Sequence, residues 1–239
     1  MRIRQHLSLL VAAGVCVGSA FADDKSETAV EEKGNHESNE IERAVMAADV
    51  IHEMMTGEDQ EIPEALLEKA QGIAVIPHVV KGAFVLGGQF GKGVVTQRIE
   101  GGSWSRPAYV DLGGVSYGFQ AGVEATDLVL VFIERDGLES LLDDGLKLGA
   151  NASVAAGPVG RSAEASTNVT LDSAIYAYSR SKGVFAGIAL DGAVLSLDDS
   201  ANQKVYGAEV DARRILNETG DVPKELEPFM SALRAHTGS

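Results

Sequence analysis

Over residues 40–56, apolar positions fall at helical spacing. Ile41, Val45, Ala48, Ile51 and Met55 form one stripe, and Glu42, Arg43, Asp49 and Glu53 lie opposite. Gly57 ends this predicted helix. A second, shorter helix starts at Pro63, buries Leu66, Leu67 and Ala70, and stops by Gly72. From Gly72 the period changes to two. Residues 73–76, 83–88 and 93–98 are short apolar runs bounded by glycine and predict strands. Val115, Tyr117, Phe119, Ala121 and Val123 alternate with Ser116, Gly118, Gln120, Gly122 and Glu124, the pattern of a half-buried antiparallel strand. Residues 127–133 are almost continuously apolar and predict a strand buried on both faces. A helical turn at 137–144 and further strands between 147 and 197 follow. There Tyr176 and Tyr178 share a face, and Val184, Ala186, Ile188 and Leu190 line the next strand. Two helices close the pattern. They span 208–217 and 223–235, the latter with Leu226, Phe229, Met230 and Leu233 as its stripe and Pro223 at its start.

Of the 27 glycines, nineteen lie in residues 72–125 and 145–192, the predicted strand regions. Glycine weakens a strand interior by roughly 0.5–1 kcal/mol relative to alanine, so this density points to tight curvature, bulges or close approach of other atoms. The expected fold class is α+β: a curved, glycine-rich antiparallel sheet, barrel-like in its coiling, with helices at both ends of the chain. Lys81, Gly82, Phe84 and Gly91 recur as Lys182, Gly183, Phe185 and Gly192. Two alternatives stand for this echo, a repeat of two sheet halves and a coincidence of four residues.

Residues 1–22 have the make-up of a cleaved leader: Arg2 and Arg4, an apolar run from 7 to 17, and Ala20-Phe21-Ala22 before Asp23. The expectation is export, with cleavage after Ala22, to the periplasm or outside the cell. Lipid attachment at Cys16 is the alternative, and the residues preceding it fit a lipobox poorly. Residues 23–39, charged and without periodicity, read as a disordered acidic linker, and 40–239 as a single domain. The net charge of −15 is unevenly spread. Residues 23–71 hold fifteen acids against four bases, whereas 72–99 hold Lys81, Lys92 and Arg98 and no acid. Such a chain repels nucleic acid, and no nucleic-acid partner is expected.

Catalytic motifs fail on inspection. Gly114-Val115-Ser116-Tyr117-Gly118 matches a nucleophile elbow, but the alternation runs straight through Ser116, and the only downstream histidine is His236. The five histidines show no metal-ligand spacing, and no cofactor is expected. Gly91-Lys92-Gly93 resembles a phosphate loop only superficially, because Leu86 stands where glycine is needed. Asp198-Asp199 reads as the N-cap of a short helix. The remaining chemistry is cationic: Lys81, Arg161, Arg180 and Lys182 sit in glycine-rich, acid-poor sequence. They form either a site for a lipid phosphate or other small anion, or loop cations that offset neighbouring acids.

These same stretches carry a family resemblance. Gly72-Ile73-Ala74-Val75-Ile76-Pro77, Lys81-Gly82-Ala83-Phe84, Gly87-Gly88, Gly91-Lys92-Gly93 and Trp104-Ser105 with Pro107 occur in order. Gly118-Phe119-Gln120-Ala121-Gly122, Ala155-Ala156-Gly157-Pro158-Val159-Gly160-Arg161 and Tyr178-Ser179-Arg180-Ser181-Lys182-Gly183-Val184-Phe185-Ala186-Gly187 follow. Over roughly residues 40–235 the chain resembles the SYLF-domain family, which includes yeast and animal actin-regulating proteins and exported bacterial ones. The resemblance implies a non-catalytic binding module that contacts lipid, a phospholipid headgroup or a membrane periphery, with a protein partner as the alternative. Eukaryotic members are reported to engage phosphoinositides through a basic N-terminal segment. Here the corresponding helix is acidic on its polar face, with Arg43 as its one strong base. An enzyme of unrecognised type is the third reading.

Overall fold

The computed structural model describes residues 25–56, 62–83, 87–116, 122–158, 172–181, 184–185, 190 and 192–237. The side chains of 25–38 and of a few strand-end residues are outside the description. The leader, Cys16, Arg161 and Lys182 therefore lie outside the described residues, as do Ala186 and Ile188 of the 184–190 stripe. The chain divides into two compact units, Met1–Asn35 and His36–Ser239. In the first, residues 25–35 have helical backbone. That backbone belongs to α1 (Lys25–Met55), so the helix starts fifteen residues before the apolar periodicity does. Glu, Lys and Ala are strong helix formers, and the stretch is rich in them.

In the second unit, α2 (Glu64–Lys69) leads into β1 (Gly72–Ala83), β2 (Gly87–Gln97), β3 (Ala108–Ser116) and β4 (Gly122–Phe132). Then come α3 (Asp136–Asp143), β5 (Leu146–Lys147), β6 (Val154–Ala156), β7 (Ile175–Ser181), β8 (Val184–Phe185) and β9 (Val194–Leu197). The chain finishes with α4 (Asp199–Tyr206), α5 (Ala212–Asn217) and α6 (Glu227–Thr237). The described strands make one sheet in the order β5-β9-β3-β2-β1-β4-β7-β6, with β8 paired to β7. Every pairing is antiparallel except β6 with β7. The expected α+β class is the one observed, and the sheet is strongly curled into a half-barrel.

The chain path explains the curl. Laid flat, eight strands would separate β5 from β6 by about 34 Å at the usual inter-strand spacing. Yet only residues 148–153 join the two edges, and they fold back on themselves through the Leu148–Ala152 bridge and a Gly149 N–H to Ala152 carbonyl bond of 3.0 Å. The edges can be joined this way only if the sheet bends round.

Both faces of the central strands are covered. On one, Ile73, Val75, Val94, Tyr109, Val129, Val131, Tyr176 and Tyr178 pack under α1, α2 and α6. On the other, Ala74, Ile76, Val79, Val95, Leu112, Leu128 and Leu130 meet Leu138 and Leu141 of α3 and Ile215 and Leu216 of α5. This two-sided burial is why 127–133 reads as a continuous apolar run.

Two expectations need correction. The buried stripe of α1 is Ala44, Ala47, Val50, Ile51, Met54 and Met55, with Glu40 and Arg43; Ile51 and Met55 are as expected, and Ile41 and Val45 are exposed. The helix is turned by about one residue because its buried face is chosen by ion-pair partners as well as by hydrophobicity. Secondly, the sequence ends its first strand at Ile76 and starts the next at 83, whereas β1 continues through Pro77 to Ala83. Proline has no N–H to give a central ladder, so it survives there only at a bulge. Between Val75 and Val80 β1 has one more residue than β2, and between Ile76 and Val79 one more than β4. His78 takes a positive φ of 48°, and its N–H donates to the Asp127 carboxylate at 2.9 Å. Close approach at the bulge demands glycine opposite: a Cβ on Gly93 would lie 2.1 Å from the Val75 carbonyl oxygen.

The extra residue inverts the alternation of β1. Before it, Val75 faces α1 and Ile76 faces away; after it, Val79 shares the face of Ile76, and Val80 returns to the α1 side. Of the two segments compared above, Lys182 and Gly183 lie outside the described residues. Lys81 is in the central strand, and Val184–Phe185 is a two-residue strand beside β7.

Candidate functional site

The bulge opens a cleft of about 600 Å³ on the α1 side. Asn39, Glu40, Glu42, Arg43 and Met46 of α1 form one wall. Pro77, His78 and Val80 of β1 with Phe90, Gly91 and Lys92 of β2 form the floor, and Asp198, Ser200 and Lys204 close the end. Val80 and Phe90, partners in register, remain 43% and 53% exposed there.

Asp198 organises the polar end. It precedes α4 and caps it, accepting from the Ala201 N–H at 3.0 Å, as the N-cap reading of the sequence expected. The same carboxylate accepts from Arg43 at 3.1 Å and from Lys92 at 3.1 Å, and Lys92 reaches on to Asp111 at 3.2 Å. The side chains of Arg43 and Asp198 are 8% and 10% exposed, which makes this a nearly buried pair. Burial of Asp198 opposes ionisation, but the Ala201 N–H, Lys92 and Arg43 together outweigh it and hold its pKa below the usual carboxylate range. A carboxylate so supplied with donors is a poor proton acceptor. The Arg43 guanidinium also lies 5.0 Å above the ring of Tyr109, whose hydroxyl donates to the Glu40 carbonyl oxygen at 3.1 Å. Burial, opposed in part by Arg43, pushes the Tyr109 phenol well above its ordinary value, so it stays a donor. Asn202 is buried behind it and bonds both the N–H and the carbonyl of Tyr109, which ties α4 to β3.

Glu40 is also buried. One of its oxygens lies 3.4 Å from Lys204, and Oε2 is buried with no hydrogen-bond partner. An unsatisfied buried acceptor costs about 1–3 kcal/mol. Among the described residues, no three or more His, Cys, Asp or Glu side chains gather as a metal site.

Of the four cations expected from sequence, Lys81 and Arg180 are described, and neither lines this cleft. Lys81 pairs in register with Gln89 and Glu124, and the inverted alternation sends it to the face away from α1. Arg180 is on the α1 face, where it donates to Glu53 at 2.8 Å. Those two therefore emerge on opposite sides of the sheet, and Arg161 and Lys182 lie outside the described residues. The glycine of the Gly157-Pro158 motif is fixed by packing, since a Cβ there would lie 2.1 Å from the Tyr178 ring. Sequence reasoning missed the cluster of Arg43, Lys92, Asp111 and Asp198. Its members are up to 155 residues apart, and each reads alone as something ordinary.

Comparison with known proteins identifies relatives of this chain. The family described as Ysc84, Las17-binding protein actin regulator, matches residues 113–236. LAS seventeen-binding protein 3 of Saccharomyces cerevisiae is 36% identical over 194 residues, 80% of this chain and 42% of that protein. Protein YSC84 of the same yeast is 38% identical over 182 residues (75% and 39%). SH3 domain-containing YSC84-like protein 1 of Xenopus laevis is 37% identical over 169 residues (68% and 50%). The chain thus spans half or less of the length of these relatives. One of them is named for binding, and none of these names denotes an enzyme. The matched region covers more than half of the sequence and includes β4, β7 and the Asp198 cap, and the chain belongs to the Ysc84, or SYLF-domain, family.

Proposed function

We propose that this chain is an exported, non-catalytic binding protein that engages lipid at the periphery of a membrane, after loss of its leader at Ala22. The observation that carries this reading is the lining of the cleft. Exposed Val80 and Phe90 lie beside a fixed ionic network, so one concavity offers apolar surface and polar anchors together. The same lining supports a non-catalytic role, because the Asp198 carboxylate at its polar end is committed to Arg43 and Lys92. Flotation of the chain from Asp23 onward with vesicles tests it. Co-flotation that is lost in Phe90→Ser is the expected result, and absence of the chain from every vesicle fraction rejects it.

A protein-interaction module is the second reading. It is favoured by the name of one relative, LAS seventeen-binding protein 3, and by the family description, Las17-binding protein actin regulator. Capture of a defined protein partner by a chain that ignores vesicles would replace the first reading with this one.

A further inference from the structure

Charge within the cleft argues against an anionic ligand. Each of its three cations already lies within 3.5 Å of a carboxylate: Arg43 and Lys92 at Asp198, and Lys204 at Glu40. An anion alone would have to share those cations and would bring no partner for the acids. The lining sets three acids, Glu40, Glu42 and Asp198, against these three bases, and Asp111 stands behind Lys92. The side chain of Glu40 is 5% exposed and short of one donor, at Oε2. What this end of the cleft lacks is a positively charged N–H group.

The other end lacks an apolar cover for Val80 and Phe90. A cation is compatible with that ring, since the Lys92 ammonium already lies 6.0 Å from its centroid. We propose that the cleft selects a primary ammonium on an amphipathic body, the ethanolamine head of a zwitterionic phospholipid. The ammonium lies at Glu40 and Glu42. The phosphate meets Lys204, whose three N–H donors are not used up by one carboxylate, and the first methylenes rest on Val80 and Phe90. The net charge of −15 acts in the same sense, because it repels an anionic surface and leaves a zwitterionic one accessible. This assignment rests on the lipid reading above and names the headgroup that reading leaves open.

The test uses phosphatidylcholine vesicles, alone or carrying phosphatidylethanolamine or phosphatidylglycerol, with short-chain soluble forms of the three lipids for titration. The expected result is about tenfold tighter binding of the ethanolamine lipid than of either other, the scale of one charge-assisted hydrogen bond. Glu40→Gln should erase the preference. If that variant does not fold, Glu42→Gln on the exposed rim should reduce it about threefold, one weaker contact's worth. Equal affinity for the three lipids, or preference for the glycerol lipid, overturns the amine assignment and leaves lipid binding standing. Retention by no vesicle overturns both.

Discussion

The first and second halves of the β1–β2 pair are built from the same two strands and differ in almost every physical respect. From Ile73 to Ile76, facing Val94 and Val95, all six side chains are fully buried, and helices cover both faces. Beyond Pro77 the same ladder carries Val80 and Phe90 into the open. One inserted residue separates the two halves. The bulge changes which face each residue presents, and the Asp198 network holds α1 and α4 over the opened end. Binding surface is thereby placed next to a core that does not have to move to accommodate it.

The largest effect should come from closing the space that the bulge needs. Gly93→Val would put a Cβ against the Val75 carbonyl, and backbone cannot give way as a flexible side chain can. A loss of about 3 kcal/mol or more is expected in denaturant unfolding, or failure to fold. The closed half provides the contrast: Val94→Ala, in the same strand, should cost only about 1–3 kcal/mol through lost burial. If the two losses are equal, the bulge is not the constrained feature.

Next in size is removal of Asp198. Asp198→Ala strands Arg43 in a nearly buried position and uncaps α4, for an expected loss of about 3 kcal/mol. Asp198→Asn keeps the cap oxygen and should lose less. Combining Asp198→Ala with Arg43→Met should recover part of the deficit, since no charge is then left without a partner. Strict additivity in that cycle would show that the pair is not coupled.

How the fold was encoded bears on these two sites. The terminal helices, the switch of period at Gly72 and the doubly buried β4 follow from spacing alone, and the Asp198 cap from residue type. Three features do not follow that way. A proline in an apolar run looks like a strand end, because the glycines that accommodate its bulge lie fourteen to sixteen residues further on, at 91 and 93. The stripe of α1 was misplaced because Glu40 and Arg43 are buried through partners at 204 and 198 that local periodicity cannot register. Lys81 and Arg180 look alike as cations in glycine-rich sequence, but only pairing register reveals that a bulge puts them on opposite faces.

A smaller effect should appear with pH. The pKa of Asp198 is lower in the folded chain than in the unfolded one, so the unfolded state binds its proton first as acid is added. Its contribution is complete above the ordinary carboxylate value of about 4 and is lost as pH falls through the depressed folded value. Urea midpoints between pH 2 and about 6 should therefore fall more steeply for the native chain than for Asp198→Asn on the acid side, with a constant gap above about 4. Parallel curves would remove Asp198 from the acid response.

The smallest effect on stability belongs to the open half itself. Phe90 is more exposed than buried, so Phe90→Ser should shift the unfolding midpoint by no more than about 0.5 kcal/mol. A core aromatic such as Phe132, fully buried on the other face, should cost about 3–5 kcal/mol when cut to alanine. The comparison is sharpened by reading stability and binding on the same variants. Phe90→Ser should keep the fold and lose vesicle binding, whereas any Phe132→Ala chain that remains folded should keep the cleft and its binding. If Phe90→Ser destabilises the chain as much as a core truncation does, the residue is part of the packing, and the open half of the ladder is no binding surface.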